Sequence, residues 1–169
     1  VVLRHSINRG MGAALATGTV WAVANGADCV VHFDADGQHR ADEVAMVTAP
    51  IIANAADVVL GSRYLKASQT PWTKKYLLHK PALMLQTFLT GMHLTDVHNG
   101  FRALNRTAAK QIRIRQYRMS HASEIINEIK LHRLRYVEVP VTIAYQEYGQ
   151  GFGSGIKIYW DLIRKKILK

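Results

Sequence analysis

The chain has 169 residues, of which 49% are hydrophobic and 20% are charged, with a net charge of +10 and a single cysteine. This composition fits one globular domain and excludes both a disordered chain and a disulfide-stapled secreted scaffold. The lone Cys29 favours a reducing compartment. No stretch reaches the 18 consecutive apolar residues that indicate a membrane-spanning helix.

Charge divides the chain into two halves of opposite sign. Residues 1–61 contain three basic and six acidic residues, whereas residues 62–169 contain 19 basic and six acidic residues. The basic half is suited to an anionic membrane surface or a phosphorylated substrate, with a solvated basic surface as the open alternative. It contains no recognisable module for reading bases, so nucleic acid is not expected as a partner.

The first sixty residues alternate between helix and strand patterns. In chain order they predict a strand end at 1–3, a loop at 5–11, a helix at 12–24, a strand at 29–33, a helix at 41–53 and a strand at 57–60. Pro50 is expected to interrupt or restart the second helix. This alternation predicts an α/β layer with a mostly parallel sheet.

The remainder is less regular. The patterns predict a loop at 68–72, a helix at 74–90, a loop at 95–100, a strand at 101–104, helices at 106–112 and 121–132, a strand at 136–143 and a glycine-rich segment at 148–155. Asn105 and Ser120 are the expected caps of the two later helices. Pro140 indicates an edge strand or a break.

Two carboxylates follow the predicted buried strand directly. Asp34 and Asp36 lie one residue apart, followed by Gly37, which permits a tight turn. Ligands of open α/β sheets bind at the carboxyl ends of strands, and hard divalent cations prefer carboxylate oxygens. The pattern therefore predicts a metal site, although aspartate and glycine also occur in ordinary turns.

Five motifs occur in a fixed order: Asn8-x-Gly10-x-Gly12, Asp34-Ala35-Asp36-Gly37-Gln38-His39, Gly61-Ser62-Arg63, Thr95-Asp96-x-x-Asn99-Gly100-Phe101-Arg102 and Val137-Glu138-Val139-Pro140-Val141. Together they resemble family-2 inverting glycosyltransferases of the GT-A fold, in particular dolichol- or polyprenyl-phosphate sugar synthases, over residues 1–145. The resemblance implies an α/β fold, a Rossmann-like three-layer sandwich of the nucleotide-diphospho-sugar transferases. The family's first strand and base-gripping aspartate are missing, so the fold is expected to be N-terminally truncated.

The resemblance also implies the site residues and partners. Asp34 and Asp36 would hold Mg2+ or Mn2+ against the diphosphate of a UDP- or GDP-linked sugar, and Asp96 would be the catalytic residue. The donor-binding residues would be Asn8, Gly10, Gly12 and Gln38. The residues for a lipid-phosphate or saccharide acceptor would be Arg63, Lys75, Asn99 and Arg102.

Several alternatives remain open from the sequence. Asp96 is either a general base for a sugar hydroxyl or a positioning group for a phosphate acceptor. The glycines of the first motif fit plain turn geometry nearly as well as donor contact. A non-catalytic, degenerate domain and a nucleotidyltransferase are the rival functions. His121 and Glu124 share a predicted helix face, but an ordinary hydrogen bond explains them better than a metal.

We predict two regions in the chain. Residues 1–153 would form a partial GT-A domain, and residues 154–169 would form a basic amphipathic helix. That helix carries five basic residues and one acidic residue. It is expected either to contact the membrane surface or to pack on its own domain. The implied location is the cytoplasm, including peripheral attachment to the inner face of the membrane. An uncovered sheet edge would favour a homo-oligomer.

Overall fold

The computed structural model describes residues 1–65, 91–116 and 120–144. In chain order they form α1 (Met11–Ala24), β1 (Cys29–His32), a 3-10 turn (Ala41–Glu43), α2 (Val44–Ile52), β2 (Val58–Ser62), β3 (Arg102–Asn105), α3 (Arg106–Gln111), α4 (His121–Leu131) and β4 (Tyr136–Pro140). The helix predicted at 74–90, Lys75 and the C-terminal helix at 154–169 lie outside the described residues. In the described part of the chain, no helix is both long and apolar enough to cross a membrane.

The four strands form one sheet in the order β1-β3-β2-β4. β3 pairs antiparallel with both β1 and β2, whereas β2 and β4 are parallel. The prediction of a mostly parallel sheet was therefore wrong for the pairings, although β1, β2 and β4 all run in one direction. The reason is that β3 begins at the edge where β1 and β2 end, and it lies between them, so it runs in the opposite direction to both.

Helices cover both faces of the sheet. α1, α3 and α4 pack on one face, where the core includes Val58, Leu104 and Ile125. α2 packs on the other face around Val47 and Val59. Successive strand side chains point to opposite faces, and all five residues of β2 are buried, so this strand is covered on both sides. The predicted three-layer α/β fold is confirmed.

Local signals explain most element boundaries. The Asn105 side chain accepts a hydrogen bond from the Ala108 N–H (2.8 Å), which confirms it as the cap of α3. Ser120 occupies the corresponding position before α4 but makes no side-chain cap bond. Pro140 ends β4, which pairs only with β2 in the described sheet, as its missing N–H predicts.

Two local predictions were wrong. The apolar residues 1–3 form no strand and are exposed, because no described strand pairs with them. Pro50 lies inside α2 without breaking it, and the actual change of helix geometry occurs earlier, between Glu43 and Val44. Since α2 ends two residues after Pro50, the missing proline N–H removes only one bond from its last turn.

The topology brings four chain segments to one edge of the sheet. β1, β2 and β4 end there, and β3 begins there. Arg102, the first residue of β3, pairs in register with His32 of β1 and with Leu60 of β2. The residues that follow β1 and β2 and those that precede β3 therefore lie close together at this edge.

Candidate active site

The aspartate turn, residues 34–39, follows β1 at this edge. Gly37 has a positive φ of 78°, and Asp36 Oδ1 accepts a hydrogen bond from the Gln38 N–H (3.0 Å). Asp34 Oδ2 lies 3.4 Å from His39 Nε2. The hydrogen bond with His39 is the main cause that lowers the pKa of Asp34, against the opposing effect of partial burial. The Asp34 carboxylate is therefore ionised at neutral pH.

The Asp34 carboxylate packs directly on the backbone of Gly100. A Cβ placed on Gly100 would overlap the carboxylate, whose Cγ would lie only 2.9 Å away. Below the turn, the rings of Phe33, His39 and Phe101 contact each other with centroids 5.2–5.7 Å apart. The turn is therefore held against the start of β3 by close packing.

The chain after β4 holds the same turn from the other side. Gln38 C=O accepts a hydrogen bond from the Ala144 N–H (3.0 Å), and His39 pairs in antiparallel register with Ile143. Glu43 accepts bonds from the N–H (2.8 Å) and hydroxyl (2.7 Å) of Thr142. The position of the aspartate turn is thus fixed relative to β4.

The donor set of the turn fits a hard divalent cation. Asp36 is exposed and the Asp34 side chain is 28% exposed, so both carboxylates are accessible to an ion. No group of three or more His, Cys, Asp and Glu side chains is arranged for a metal among the residues the structure describes. Two carboxylates suit Mg2+ or Mn2+, which commonly complete their coordination with water and substrate phosphates.

Asp96 and Arg63 form a two-bond ion pair at the end of β2. Arg63 Nε donates to Asp96 Oδ2 (2.6 Å) and Nη2 donates to Oδ1 (2.7 Å). The Arg63 backbone N–H also donates to Oδ2 (3.1 Å). The Asp96 side chain is fully buried, whereas that of Arg63 is 20% exposed. Both oxygens of Asp96 are therefore occupied by arginine, and the arginine reaches the surface.

The loop that carries Asp96 is itself anchored by Glu138 of β4. The Glu138 carboxylate accepts hydrogen bonds from the Thr95 N–H (2.9 Å), the Thr95 hydroxyl (3.0 Å) and the Asp96 N–H (3.2 Å). Thr95 Oγ1 is also 2.6 Å from Ser62 Oγ. The sequence alone predicted no role for Glu138. The available signal was a single carboxylate within the otherwise apolar run 137–141.

Two residues expected at the acceptor are buried. Arg102 is 2% exposed, and its Nη2 donates to Val97 C=O (3.3 Å). Asn99 Oδ1 accepts a bond from the Phe101 N–H (3.0 Å). Arg102 Nη1 and Asn99 Nδ2 are buried without a hydrogen-bond partner in the described chain. Buried donors of this kind are commonly satisfied by bound water or a ligand, and the role of both residues at an acceptor remains a prediction.

A buried histidine lies beside Arg102. His32 Nε2 is 2.9 Å from Thr19 Oγ1 of α1, and His32 pairs in register with Arg102. Burial, followed by the charges of Arg102 and His121, lowers the pKa of His32 to about 4. Burial also lowers the pKa of Arg102 to about 10, while Asp34 and Asp96 oppose this. His32 is therefore neutral and Arg102 charged at pH 7.

Lowering the pH from 7 to 5 is expected to reduce the free energy of unfolding by about 2 kcal/mol through His32 alone. The folded-state pKa is about 4 against an ordinary value of 6.5, so only the unfolded chain takes up a proton in this interval. Urea unfolding at both pH values measures the effect. His32→Gln, which does not titrate, should lose this component, and an equal pH dependence in both proteins would contradict the assignment.

The first motif precedes α1 and belongs to the same edge. Asn8 Oδ1 accepts a bond from the Gly10 N–H (2.9 Å), and Gly10 has a φ of 91°. Thr19 of α1 contacts His32 at the end of β1. Gly12 lies seven residues earlier in the same helix, which corresponds to about 10 Å along the helix axis. Asn8 and Gly10 line an open groove of about 700 Å³, while Gly12 is buried. Donor contact by these residues and by Gln38 remains a prediction.

The possible His121–Glu124 metal pair is not supported by the structure. Glu124 Oε2 accepts hydrogen bonds from the backbone N–H groups of Arg115 (2.9 Å) and Gln116 (2.8 Å). His121 is buried at the start of α4. Glu124 thus holds the segment after α3 through ordinary structural hydrogen bonds.

Known proteins resemble this chain in sequence over 93–100% of its length. UDP-N-acetylglucosamine--dolichyl-phosphate N-acetylglucosaminyltransferase of Methanococcus voltae is 36% identical over 179 residues, covering 100% of this chain and 70% of the relative. Polyprenol monophosphomannose synthase of Mycolicibacterium smegmatis is 29% identical over 167 residues, covering 93% of this chain and 61% of the relative.

Solved structures and a family model agree with these relatives. Glucosyl-3-phosphoglycerate synthase from Mycobacterium tuberculosis, in complex with phosphoglyceric acid, has a TM-score of 0.67 at 16% identity, covering 97% of this chain and 56% of that chain. The same enzyme with Mn2+, uridine diphosphate and glucosyl-3-phosphoglycerate has a TM-score of 0.64 at 15% identity. This likeness shows a GT-A-like fold. Since the family model for glycosyl transferase family 2 matches residues 1–113, the chain belongs to that family of glycosyltransferases.

Proposed function

We propose that this chain transfers a sugar, with inversion, from a nucleotide-diphosphate donor to a polyprenyl phosphate. The observation that carries the proposal is the Arg63–Asp96 pair, in which the carboxylate is buried and bonded through both oxygens. Two relatives support it, because their names describe transfer to dolichyl phosphate and synthesis of polyprenol monophosphomannose. The solved relative with Mn2+ and uridine diphosphate supports a metal-dependent nucleotide-sugar donor.

On the donor side, Asp34 and Asp36 would hold Mg2+ or Mn2+ against the diphosphate. When bound, the ion would neutralise charge on the departing nucleotide diphosphate. Asp34 is ionised and fixed between His39 and Gly100, so its carboxylate is already placed before the donor binds. Gln38 and the Asn8–Gly12 turn are the proposed donor contacts, and either a UDP- or a GDP-linked sugar is compatible with them.

On the acceptor side, the arrangement favours a nucleophile that needs no base. A general base must reach the proton that it removes, but the Asp96 side chain is fully buried and both its oxygens face Arg63. A phosphate monoester is largely ionised at neutral pH, because its second pKa is about 6. Its oxygen can attack the anomeric carbon directly while the nucleotide diphosphate leaves from the opposite face.

Arg63 is the proposed contact of the acceptor phosphate. It follows β2 at the active edge, and Asp96 fixes both its guanidinium and its backbone N–H. Its side chain remains partly exposed, and this exposed part is the proposed contact surface for the phosphate. Guanidinium groups are suited to phosphate oxygens through their planar set of donors. Because the acceptor lipid resides in a membrane, peripheral contact with that surface is part of the proposal.

Replacing Asp96 with Asn tests the acceptor class in the full-length protein. We expect kcat/KM for polyprenyl phosphate to fall about 30-fold, because an amide NH2 would then face the Arg63 donors and one charged pair would be lost. The acidic limb of the pH–rate profile should remain near pH 6 in both proteins, since it reports the acceptor phosphate. Sugar transfer from labelled nucleotide sugars measures both effects.

The matched control is Asp42→Asn. Asp42 makes the same kind of two-bond pair with Arg40 (3.1 and 2.6 Å) on an exposed surface, so its loss should leave transfer unchanged. A general-base role predicts a different result for Asp96→Asn, namely near-complete loss together with disappearance of the acidic limb. That outcome, or transfer only to sugar hydroxyls, would favour the alternative glycosyltransferase that builds a polysaccharide or glycolipid.

A further inference from the structure

One carboxylate outside the aspartate turn contacts neither the proposed donor site nor the proposed acceptor phosphate. Glu138 lies in the middle of β4 and pairs in parallel register with Leu60 of β2. It receives four hydrogen bonds from two successive residues of the loop before β3: Thr95 N–H to both oxygens (2.9 and 3.0 Å), the Thr95 hydroxyl (3.0 Å) and Asp96 N–H (3.2 Å). Such charge-assisted bonds are about twice as strong as neutral ones.

These bonds connect Glu138 to the active edge in a short chain of contacts. Glu138 fixes the backbone of Asp96, Asp96 fixes the guanidinium and the backbone N–H of Arg63, and Arg63 reaches the surface. Each link is a direct hydrogen bond of 3.2 Å or less. A shift of Glu138 would therefore displace Asp96 and, through it, Arg63.

The same strand also holds the aspartate turn. Just beyond Pro140, Thr142 is bonded to Glu43, and Ala144 is bonded to Gln38. The donor side and the acceptor side of the site are therefore attached to one strand and its extension, with Glu138 as the attachment of the acceptor side. Misplacement of reacting groups by as little as 1 Å costs about 10²-fold in rate, so a common anchor has catalytic value.

From this geometry we infer that Glu138 is a positioning residue of the transfer reaction, which sets Arg63 for the acceptor phosphate through Thr95 and Asp96. The inference rests on the proposed function for the identity of the acceptor. It differs from a purely structural role, in which Glu138 would stabilise the loop without affecting how the acceptor binds or reacts.

The test compares Glu138→Ala and Glu138→Gln in the full-length protein with a polyprenyl-phosphate acceptor. We expect kcat/KM for the acceptor to fall about 30-fold in Glu138→Ala, which removes the partner of the Thr95 and Asp96 N–H groups, and about fivefold in Glu138→Gln, which retains one acceptor oxygen. The KM for the nucleotide sugar should change by less than about threefold. If Glu138→Ala folds poorly, the smaller loss of acceptor kcat/KM in Glu138→Gln still tests the inference.

Glu124 offers a matched control, because it also binds two backbone N–H groups through its carboxylate. Glu124→Ala and Glu138→Ala should both lower the thermal midpoint, but only the second should change the acceptor kinetics. The decisive measurement is a double-mutant cycle with Arg63→Gln. If Glu138 acts through Arg63, then adding Glu138→Gln to Arg63→Gln should cost less than about twofold more.

The outcomes separate the two proposals. Wild-type protein that transfers no sugar to the lipid phosphate would overturn the proposed function. Wild-type protein that is active, with Glu138→Gln and Glu138→Ala both unchanged in acceptor kcat/KM, would overturn the positioning role alone. Effects of Glu138→Gln and Arg63→Gln that simply multiply in the double variant would also overturn it, because independent contributions indicate a structural role.

Discussion

Replacing Asp34 or Asp36 with Asn is expected to lower kcat for sugar transfer by at least about 10³-fold, because each change would remove one of the two proposed anionic ligands of the divalent ion. The substitution keeps the size of the side chain, so the packing of residue 34 on Gly100 and His39 is retained. The free energy of unfolding should therefore change little. Steady-state kinetics with Mn2+, together with Mn2+ binding in the presence of nucleotide diphosphate, measure the effect.

Asp28→Asn is the control for this pair. Asp28 lies at the opposite end of β1, its side chain is 93% exposed, and its contact with Arg106 is long, at 3.8 Å. We expect its activity and its Mn2+ affinity to match those of the wild type. Full transfer activity in either Asp34→Asn or Asp36→Asn would show that the turn does not hold the ion, and the proposed donor chemistry would fail with it.

Local sequence signals predicted the strand and the turn that follows it at residues 34–39 well. A buried apolar strand that ends in Asp34-Ala35-Asp36-Gly37 encodes its own turn, because the strand, the glycine and the carboxylates are contiguous. The same holds for α1, whose start at Met11 follows directly from Gly10, and for α3, whose cap Asn105 is adjacent in sequence. In each case the determining interaction spans only a few residues.

The proposed acceptor side depends on contacts between distant parts of the chain. Arg63 and Asp96 are 33 residues apart, and Asp96 and Glu138 are 42 residues apart. Periodicity indicates which face of a strand is buried, but it does not indicate its direction or its neighbours. For this reason the reversal of β3 was missed, and so were the anchoring role of Glu138 and the burial of Arg102.

Gly100 provides the sharpest test of how these two sides fit together. Gly100→Ala is expected to lower the rate of transfer about 10²-fold, because the added methyl group would displace the Asp34 carboxylate by the order of 1 Å. Overpacking at this contact should also cost about 1–3 kcal/mol of stability. The loss should appear in kcat and in Mn2+ affinity, since Asp34 is the group that moves.

Gly18→Ala is the matched control, because a Cβ on Gly18 meets no atom within 4 Å. Within α1 the added methyl group should be neutral or slightly stabilising, since alanine favours the helix over glycine by about 1 kcal/mol. Urea unfolding and kinetics of both variants separate stability from catalysis. Gly100→Ala with wild-type kcat and Mn2+ affinity would mean that Asp34 can be displaced without cost, which is incompatible with a carboxylate that must be fixed to hold the ion.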